Sequence, residues 1–362
     1  MTNSSARARN ADSGSTRNEH RFPWKWNLSD LEKVQKNGKT VFSCFSCGGG
    51  SSMGYKLAGY DVIGCCEIDP RVLEVYRKNL HPAHPYLADV RDFLRNLQRD
   101  GVPECLRGID ILDGSPPCSS FSTVGEREKG WGKDKVFREG QAKQKLDDLF
   151  FWFINVADEL KPKVVIAENV SGLIKGNAKG YVNEIFKAFN DAGYDPQLFL
   201  LNAAHMGVPQ RRERTVFIAR RKDLGLPWIQ LQFREKPVYF REVRSAEGKP
   251  VNPETMDYKL LQLRQPGDHN LGDINRRWKG KETLFGHLIA HDNEVCATIT
   301  ASLRGYRDCD GKMLTEEDIR NVCSFPQDYD FCGQDTTYIC GMSVPPVMMA
   351  QIATEVYRQW LK

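Results

Sequence analysis

From Thr40 onward, short apolar runs alternate with longer stretches in which apolar residues recur at helical spacing. Val164–Ala167 is apolar throughout, as in strands that are buried on both faces of a parallel sheet. Leu146 to Leu160 carries apolar residues three and four positions apart, which predicts a helix that ends before Pro162. The same criteria predict further strands at 41–45, 60–66, 86–88, 109–112, 198–201 and 215–219, and helices at 71–80 and 181–192. This alternation predicts an α/β fold with a Rossmann-like, doubly wound sheet.

Three regions differ in character. Residues 1–38 begin with a polar stretch that has little to bury, which predicts a disordered basic arm followed by a capping segment. Residues 39–220 carry the alternating pattern and form the expected catalytic domain, which a final helix within residues 336–362 completes. Between them, residues 221–335 lose both periods and mix basic with aromatic side chains. This composition predicts a smaller, irregular domain of nucleic-acid-binding type.

Composition narrows the class of protein. The net charge of +4 is a weak indication of an anionic partner, and an ordinary solvated surface explains it equally well. Eleven cysteines without an apolar leader favour a reducing cytoplasm, where thiols stay free. The longest apolar run falls short of a membrane span, so we expect no membrane association.

Four polar or reactive residues, Glu67, Asp89, Cys118 and Glu168, each follow a predicted strand. Because parallel strands end at the same edge of a sheet, these side chains are expected to converge there, where open α/β sheets bind their ligands. A lone carboxylate at a strand end is usually a solvated turn residue. Four such groups on one edge make a functional site the better interpretation.

The segment Gly114–Ser122 holds the most reactive of the four. Pro116 and Pro117 fix the backbone directly before Cys118, so the turn that presents this thiol is expected to be stiff. A buried structural cysteine is the alternative, since free cysteines are often buried.

A glycine run, Gly48–Gly50, follows the first predicted strand, and Glu67 lies 19 residues after Gly48. This is the Rossmann-like arrangement in which a glycine loop admits a cofactor and a later carboxylate binds ribose hydroxyls. The full dinucleotide fingerprint is missing, so a nicotinamide oxidoreductase is a weaker alternative.

Two sequence patterns could indicate a metal, but neither is complete. Cys44 and Cys47 form a C-x-x-C without a second pair, and His287 and His291 lack the glutamate of a zincin helix. We therefore predict no metal site.

Taken in order, these motifs resemble the DNA (cytosine-5)-methyltransferase family of prokaryotic and phage type, over Thr40 to Val356 without the variable middle. Pro116-Pro117-Cys118 resembles its nucleophile motif, and Glu168-Asn169-Val170 and Gln210-x-Arg212-x-Arg214 resemble its two base-binding motifs. Gly341-x-Ser343-Val344-Pro345 resembles its last motif.

The resemblance implies roles for individual residues. The implied catalytic residues are Cys118, Glu168, Arg212 and Arg214. The implied residues for S-adenosylmethionine are Phe45, Ser46, Cys47, Gly48, Gly50, Glu67, Ile68, Asp89, Val90, Ser115, Pro117, Ser343 and Val344. Residues 119–144 resemble the loop that closes over a flipped base, and the implied DNA contacts are Ser122, Arg127, Lys129 and Gln210.

The chain departs from the family pattern at three positions. Cys47 replaces the first glycine of the cofactor loop, and Met342 replaces the asparagine before Ser-Val-Pro. Glu317 stands where an arginine normally organises the small domain. The first two substitutions bear on cofactor affinity, and the third bears on how the small domain is held.

The resemblance implies methyl transfer from S-adenosylmethionine to C5 of a flipped-out cytosine in duplex DNA, through a covalent adduct between Cys118 and C6. A cytoplasmic, nucleoid-associated monomer is expected, with a separately encoded restriction endonuclease as a candidate partner. Alternatives are a relative that methylates cytosine in tRNA and a catalytically impaired DNA-binding relative.

Overall fold

The computed structural model describes residues 20–117, 148–174, 179–280 and 286–362. The strands in these ranges are β1 (Thr40–Cys44), β2 (Asp61–Glu67), β3 (His84–Leu87), β4 (Ile111–Gly114), β5 (Val164–Val170), β6 (Tyr194–Asn202), β7 (Gln210–Arg211), β8 (Glu213–Arg221), β9 (His287–Ala290), β10 (Cys296–Ala297) and β11 (Arg304–Arg307). The helices are α1 (Gly50–Leu57), α2 (Pro70–Leu80), α3 (Val90–Asp100), α4 (Leu149–Leu160), α5 (Lys179–Asp191), α6 (Phe240–Val243), α7 (Met256–Leu261), α8 (Leu271–Lys279), α9 (Glu316–Val322), α10 (Thr336–Met342) and α11 (Pro346–Val356).

Seven strands form the central sheet, in the order β3-β2-β1-β4-β5-β8-β6. The five strands from β3 to β5 pair in parallel, whereas β8 is antiparallel to both β5 and β6. The predicted doubly wound sheet is confirmed, with one reversed strand. The reversal follows from chain length, because the ten residues between β6 and β8 are too few for a parallel crossover.

The sheet is covered on both faces by apolar side chains from alternate positions of each strand. Phe42, Leu112, Val165 and Phe217 pack against α3, α4 and α5. Their sequence neighbours Val41, Ile111, Ile166 and Val216 pack against α1 and α11 on the opposite face. Burial of both faces explains why the strands lack polar alternation in the sequence.

The segment predicted to be irregular contains regular elements that are short. Helices α6, α7 and α8 have four, six and nine residues, too few for a helical period to stand out in the sequence. Leu260, Leu271, Ile289 and Tyr306 form the core of this small body. Val322 at the end of α9 packs instead into the cluster that contains α2, so α9 contacts the larger body.

The connection from β8 to the small body runs back along the larger one. The indole Nε1 of Trp360 donates to the Pro227 carbonyl at 2.8 Å. The Gln230 amide donates to Gln359 Oε1 at 3.0 Å, and the Glu235 amide donates to the His205 carbonyl at 3.0 Å. We call residues 226–235 the return strap, because these hydrogen bonds fix it against the larger body.

Helices α1 and α11 approach each other most closely at Gly54. A Cβ atom added there would lie 2.5 Å from the Pro346 carbonyl oxygen and 2.6 Å from the Met349 Cβ. Both are closer than real contacts of this kind, so the glycine is required by the packing.

We predict that Gly54→Ala lowers the free energy of unfolding by about 1 to 3 kcal/mol, since overpacking forces the two helices apart. Urea denaturation measures the change. Gly180→Ala is the matched control, because a Cβ at that position on α5 has open space within 4 Å. Equal free energies of unfolding for the two variants would show that α1 and α11 can move apart without loss of stability.

Candidate active site

A pocket opens at the carboxyl ends of β1, β2 and β4 and contains about 830 Å³ of empty space, part of it open to solvent. It is lined by Phe45, Cys47, Cys66, Glu67, Ile68, Asp69, Val72, Ala88, Asp89, Val90, Ser115, Pro117, Leu149, Tyr338 and Met342. The walls are mostly apolar, with carboxylates at one side. This is the edge at which the sequence predicted a site.

Eight of the predicted cofactor residues line this pocket: Phe45, Cys47, Glu67, Ile68, Asp89, Val90, Ser115 and Pro117. The other five, Ser46, Gly48, Gly50, Ser343 and Val344, are not among its lining residues. A Cβ at Gly50 would lie 2.2 Å from the Val344 carbonyl oxygen, so the last motif packs closely behind the glycine loop. Its Ser343 and Val344 therefore support the loop, rather than the pocket surface.

The loop after β1 adopts a left-handed backbone at three residues. Phe45, Cys47 and Gly49 have φ angles of +53°, +45° and +82°. This region favours glycine, so the substitution of Cys47 for a glycine is accommodated with backbone strain. Burial raises the pKa of the Cys47 thiol to about 12, which keeps it neutral.

Glu67 ends β2 and fixes this loop. Its Oε2 accepts from the Cys47 amide at 2.9 Å, and its Oε1 accepts from the amides of Ile68 and Asp69 at 2.8 and 3.0 Å. Burial raises the pKa of Glu67, and the three amide hydrogen bonds oppose that rise. The carboxylate keeps lone pairs for the hydroxyl groups of a ligand.

Asp89 is the N-cap of α3 and faces the same pocket. Arg91 binds its carboxylate through Nε at 2.9 Å and Nη2 at 2.6 Å. Burial alone would raise the pKa of Asp89, but the hydrogen bonds from Arg91 outweigh it and hold the pKa below its usual range. Asp89 is therefore ionised at neutral pH and oriented by Arg91.

Glu168 and Arg214 form an ion pair on adjacent strands. In the register of β5 and β8, Glu168 lies opposite Val216 and Val170 opposite Arg214. Glu168 and Arg214 are thus diagonal neighbours on one face. The Arg214 Nε lies 2.7 Å from Glu168 Oε1, and both side chains are largely buried. This ion pair fixes the carboxylate at the sheet edge.

The turn that leads to Cys118 is held by Asn169. Its Nδ2 donates to the Pro116 carbonyl at 3.0 Å, in a buried position next to Glu168. The predicted nucleophile Cys118 and the predicted DNA contacts Ser122, Arg127 and Lys129 lie outside the described residues. What the structure describes is the anchored start of their segment.

Arg212 and Gln210 are buried, and protein groups bind their polar atoms. The guanidinium of Arg212 donates to the carbonyls of Ile299 at 2.9 Å, Gly341 at 2.8 Å and Ser343 at 3.0 Å. Gln210 Nε2 donates to Cys323 Sγ at 3.2 Å, and its Oε1 accepts from the Ile299 amide at 3.3 Å. The expectation that Gln210 contacts DNA thus has no support here, because its side chain is fully buried.

Arg212 keeps its charge in this position. Burial lowers the pKa of Arg212 to about 9, and the nearby charge of Arg214 adds to the fall. The side chain stays protonated at neutral pH. Its hydrogen bonds to Gly341 and Ser343 connect the residues after β7 to the end of α10. Its hydrogen bonds to carbonyls hold these segments together, and its predicted catalytic role stays a prediction.

Two of the three departures from the family pattern bear on the site itself. Met342 lies in the pocket wall beside Tyr338, where its thioether replaces an amide with an apolar surface. Cys47 also lines the pocket, and its Sγ lies 4.0 Å from the Ile339 carbonyl of α10. The third, Glu317, is exposed in the first turn of α9, where an acidic side chain favours the helix dipole.

The list of implied cofactor residues leaves out seven lining residues: Cys66, Asp69, Val72, Ala88, Leu149, Tyr338 and Met342. Of these, Met342 was already expected to bear on cofactor affinity. Cys66, Asp69, Val72 and Ala88 are close in sequence to predicted positions, so widening each motif by a few residues would have included them. Tyr338 and Met342 come from α10, far along the chain. The departure at Met342, next to Ser343, indicated one of them, and no sequence pattern indicated Tyr338.

One of the candidate metal ligands, His291, binds protein groups. His291 Nδ1 lies 3.1 Å from Asp308, and its Nε2 lies 2.8 Å from the Asp268 carbonyl.

No helix within the described ranges is long and apolar enough to cross a membrane.

Comparison with known proteins identifies the family of the chain. Residues 39–358 match the sequence profile of the family described as C-5 cytosine-specific DNA methylase. The chain belongs to this family. The predicted family is confirmed, and methyl transfer to C5 of cytosine in DNA is its activity. The match spans the β1 loop and α10, which line the pocket, and the Glu168–Arg214 pair.

Individual relatives agree with this assignment. The chain is 27% identical over 336 residues to the type II methyltransferase M1.HphI of Haemophilus parahaemolyticus, covering 88% of this chain and 87% of the relative. It is 32% identical over 342 residues to the type II methyltransferase M.Eco47II of Escherichia coli, covering 86% and 76%. A crystal structure of a prophage-encoded E. coli protein, described as a DNA modification methyltransferase, has the same fold with a TM-score of 0.64 and 19% identity, covering 90% and 100%.

We predict that Arg212→Met lowers the free energy of unfolding by about 3 kcal/mol or more, because three buried carbonyls lose their donor. Guanidinium denaturation followed by tryptophan fluorescence measures the loss. Arg211→Met is the control, since Arg211 is exposed and its guanidinium pairs with Glu294 at 3.3 Å. That surface pair should contribute less than about 1 kcal/mol. A small effect at both positions would contradict a bracing role for Arg212.

Proposed function

We propose that this methylase takes its methyl group from S-adenosylmethionine and modifies a cytosine within a specific site of duplex DNA, through a transient bond between Cys118 and C6. The observation that supports this most strongly is the shared sheet edge. The pocket, the Glu168–Arg214 pair and the start of the Cys118 segment all lie at the carboxyl ends of β1, β2, β4 and β5.

The residues that line the pocket suit S-adenosylmethionine, because they combine hydrogen-bond acceptors with apolar surfaces. Glu67 offers carboxylate lone pairs to ribose hydroxyls, and Asp89 offers an acceptor to an exocyclic amine. Ile68, which is 37% exposed, and Phe45 offer apolar surfaces to a flat ring. When bound, S-adenosylmethionine supplies an electrophilic methyl group that an activated C5 accepts.

Cytosine C5 is a poor nucleophile until a group adds to C6. A thiolate suits this addition because it attacks strongly and also leaves well. In the proposed step the Cys118 sulfur forms a bond to C6, and the electron pair of the C5–C6 bond moves to C5. After methylation, loss of the C5 proton restores the double bond and expels the thiolate.

Glu168 is proposed to protonate or hydrogen-bond N3 during the addition, which neutralises charge that develops on the ring. Arg214, 2.7 Å from Glu168, orients this carboxyl group and is placed to bind the base carbonyl. Because C6 is inaccessible inside a duplex, the base must be flipped out.

The small body within residues 221–335 is proposed to recognise the DNA site. Relatives of the chain are described as type II methyltransferases, which supports a separately encoded restriction endonuclease as a partner. We propose that the enzyme acts as a monomer, since one chain supplies every group named above.

Methyl transfer from tritiated S-adenosylmethionine to unmethylated genomic DNA tests the function. Incorporation into DNA, and bisulfite sequencing that finds 5-methylcytosine at one recurring site, are the expected results. Transfer to tRNA with none to DNA would replace this proposal with its RNA counterpart.

We predict that Cys118→Ser abolishes methyl transfer while the Kd for duplex DNA changes little, because the hydroxyl is a far weaker nucleophile than the thiolate. Cys309→Ser is the control, since Cys309 is an exposed thiol in the small body. Residual transfer at more than a few per cent of the wild-type rate would remove the nucleophile assignment.

We predict that Glu168→Gln lowers kcat roughly 10²-fold or more, as losses of a general acid do. Single-turnover kinetics at saturating cofactor isolate the chemical step. Glu184→Gln, an exposed substitution on α5, should leave the rate unchanged. A near-normal single-turnover rate for Glu168→Gln would exclude its role at N3.

A further inference from the structure

Asp113 is a buried carboxylate that the mechanism above does not use. It lies on β4 among apolar neighbours and is only 2% exposed. Three hydroxyl groups donate to it: Ser43 Oγ at 2.8 Å, Ser51 Oγ at 2.7 Å and Tyr55 OH at 3.2 Å. A single side chain in the centre of the sheet thus collects three hydrogen bonds from two other elements.

The donors come from the elements on either side of the cofactor loop. Ser43 is the register partner of Asp113 on β1, directly before the loop. Ser51 and Tyr55 belong to α1, directly after the loop. The Asp113 carboxylate therefore holds both ends of the loop against β4.

The same residue immediately precedes the turn of the nucleophile. Gly114 follows it, and then come Ser115 and Pro117 in the pocket wall. Asn169 fixes this turn from β5 through the Pro116 carbonyl. Asp113 and Asn169 thus hold the turn from its two flanking strands.

Stability alone does not explain a carboxylate here. Burial raises the pKa of Asp113 to about 6, the three hydroxyl groups oppose the rise, and the charge of Glu168 on β5 adds to it. The other titratable groups close enough to interact with the charge of Asp113 are Tyr55 on α1, Tyr76 on α2 and, on the other face of the sheet, Cys44 on β1. Burial raises the pKa of each, so they are neutral at pH 7 and supply no counter-charge. Ionisation of Asp113 at pH 7 therefore lowers the stability of the fold relative to its protonated form.

We propose that Asp113 is a positioning residue for methyl transfer: its carboxylate sets the position of α1 and the cofactor loop relative to the turn that leads to Cys118. This inference rests on the proposed function. Glu67 still ties the loop to β2 when Asp113 is changed. Misalignment should therefore affect the reaction more than cofactor binding, since small displacements of reacting groups cost large factors in rate.

The test compares Asp113→Asn with wild type in three measurements. We expect kcat to fall roughly 10-fold to 100-fold, while the Kd for S-adenosylmethionine by calorimetry changes by less than about 3-fold. We also expect the Tm at pH 7.5 to stay level or rise. The raised pKa in the folded state means that the protonated form is favoured there, and that stability is lost as pH rises through about 6. The neutral amide does not suffer this loss.

The pH profile adds a readout that a purely structural residue would not move. Wild-type kcat should fall as pH decreases through about 6, when Asp113 takes up a proton. In Asp113→Asn this fall of kcat at low pH should be absent.

Asp110→Asn is the matched control. Asp110 is also buried on the chain leading into β4, but it lies at the far end, where it accepts from the Thr40 amide and pairs with Lys163 at 2.7 Å. This variant should lower Tm and leave kcat unchanged. The inference would be overturned if Asp113→Asn had the same kcat as the wild-type enzyme. It would also be overturned if the loss of rate were explained by a lower Tm alone. Absence of transfer by wild type itself would instead overturn the proposed function.

Discussion

The parallel register of β1, β4 and β5 is the constraint on which the site depends. Paired positions in parallel strands point to the same face, so Ser43, Asp113 and Ile166 share a face with Glu168 two residues later. Their sequence neighbours fill the opposite face with apolar side chains. A shift of one residue in any of these pairings would turn the polar groups into the core around α4. The apolar pattern of the strands therefore determines where the polar side chains meet.

Each buried charge of the site is stabilised by backbone groups or a neighbouring charge. Glu67 accepts from three amides, Arg212 donates to three carbonyls, and Glu168 pairs with Arg214. Burying a charge without such partners would cost several kcal/mol. Because these partners belong to segments far apart in sequence, the charges also hold the β1 loop, the β7 region and α10 together.

The sequence predicts those parts of the site that lie within one motif. Glu67 ends β2, Asp89 follows β3, and Glu168 lies near the carboxyl end of β5, so their positions follow from these strands. The sheet is confirmed because its apolar runs are uniform. The family resemblance implied that Gln210 contacts DNA and that Arg212 is catalytic, whereas both side chains are buried. Their burial depends on Ile299, Cys323 and Gly341, which no local pattern brings near them. Tyr338 was missed for the same reason.

The reversal of β8 has a consequence for how the enzyme engages its target. Since β8 runs away from the site edge, the chain leaves the sheet at the far side and must return through the strap of residues 226–235. That strap is fixed up to Glu235, and Phe240 already donates its amide to the Glu294 carbonyl of the small body. Only residues 236–239 lie between the two attachments, which is a tether of four residues. On this side the small body is therefore joined to the larger one by only four residues, which limits how far the two bodies can separate here.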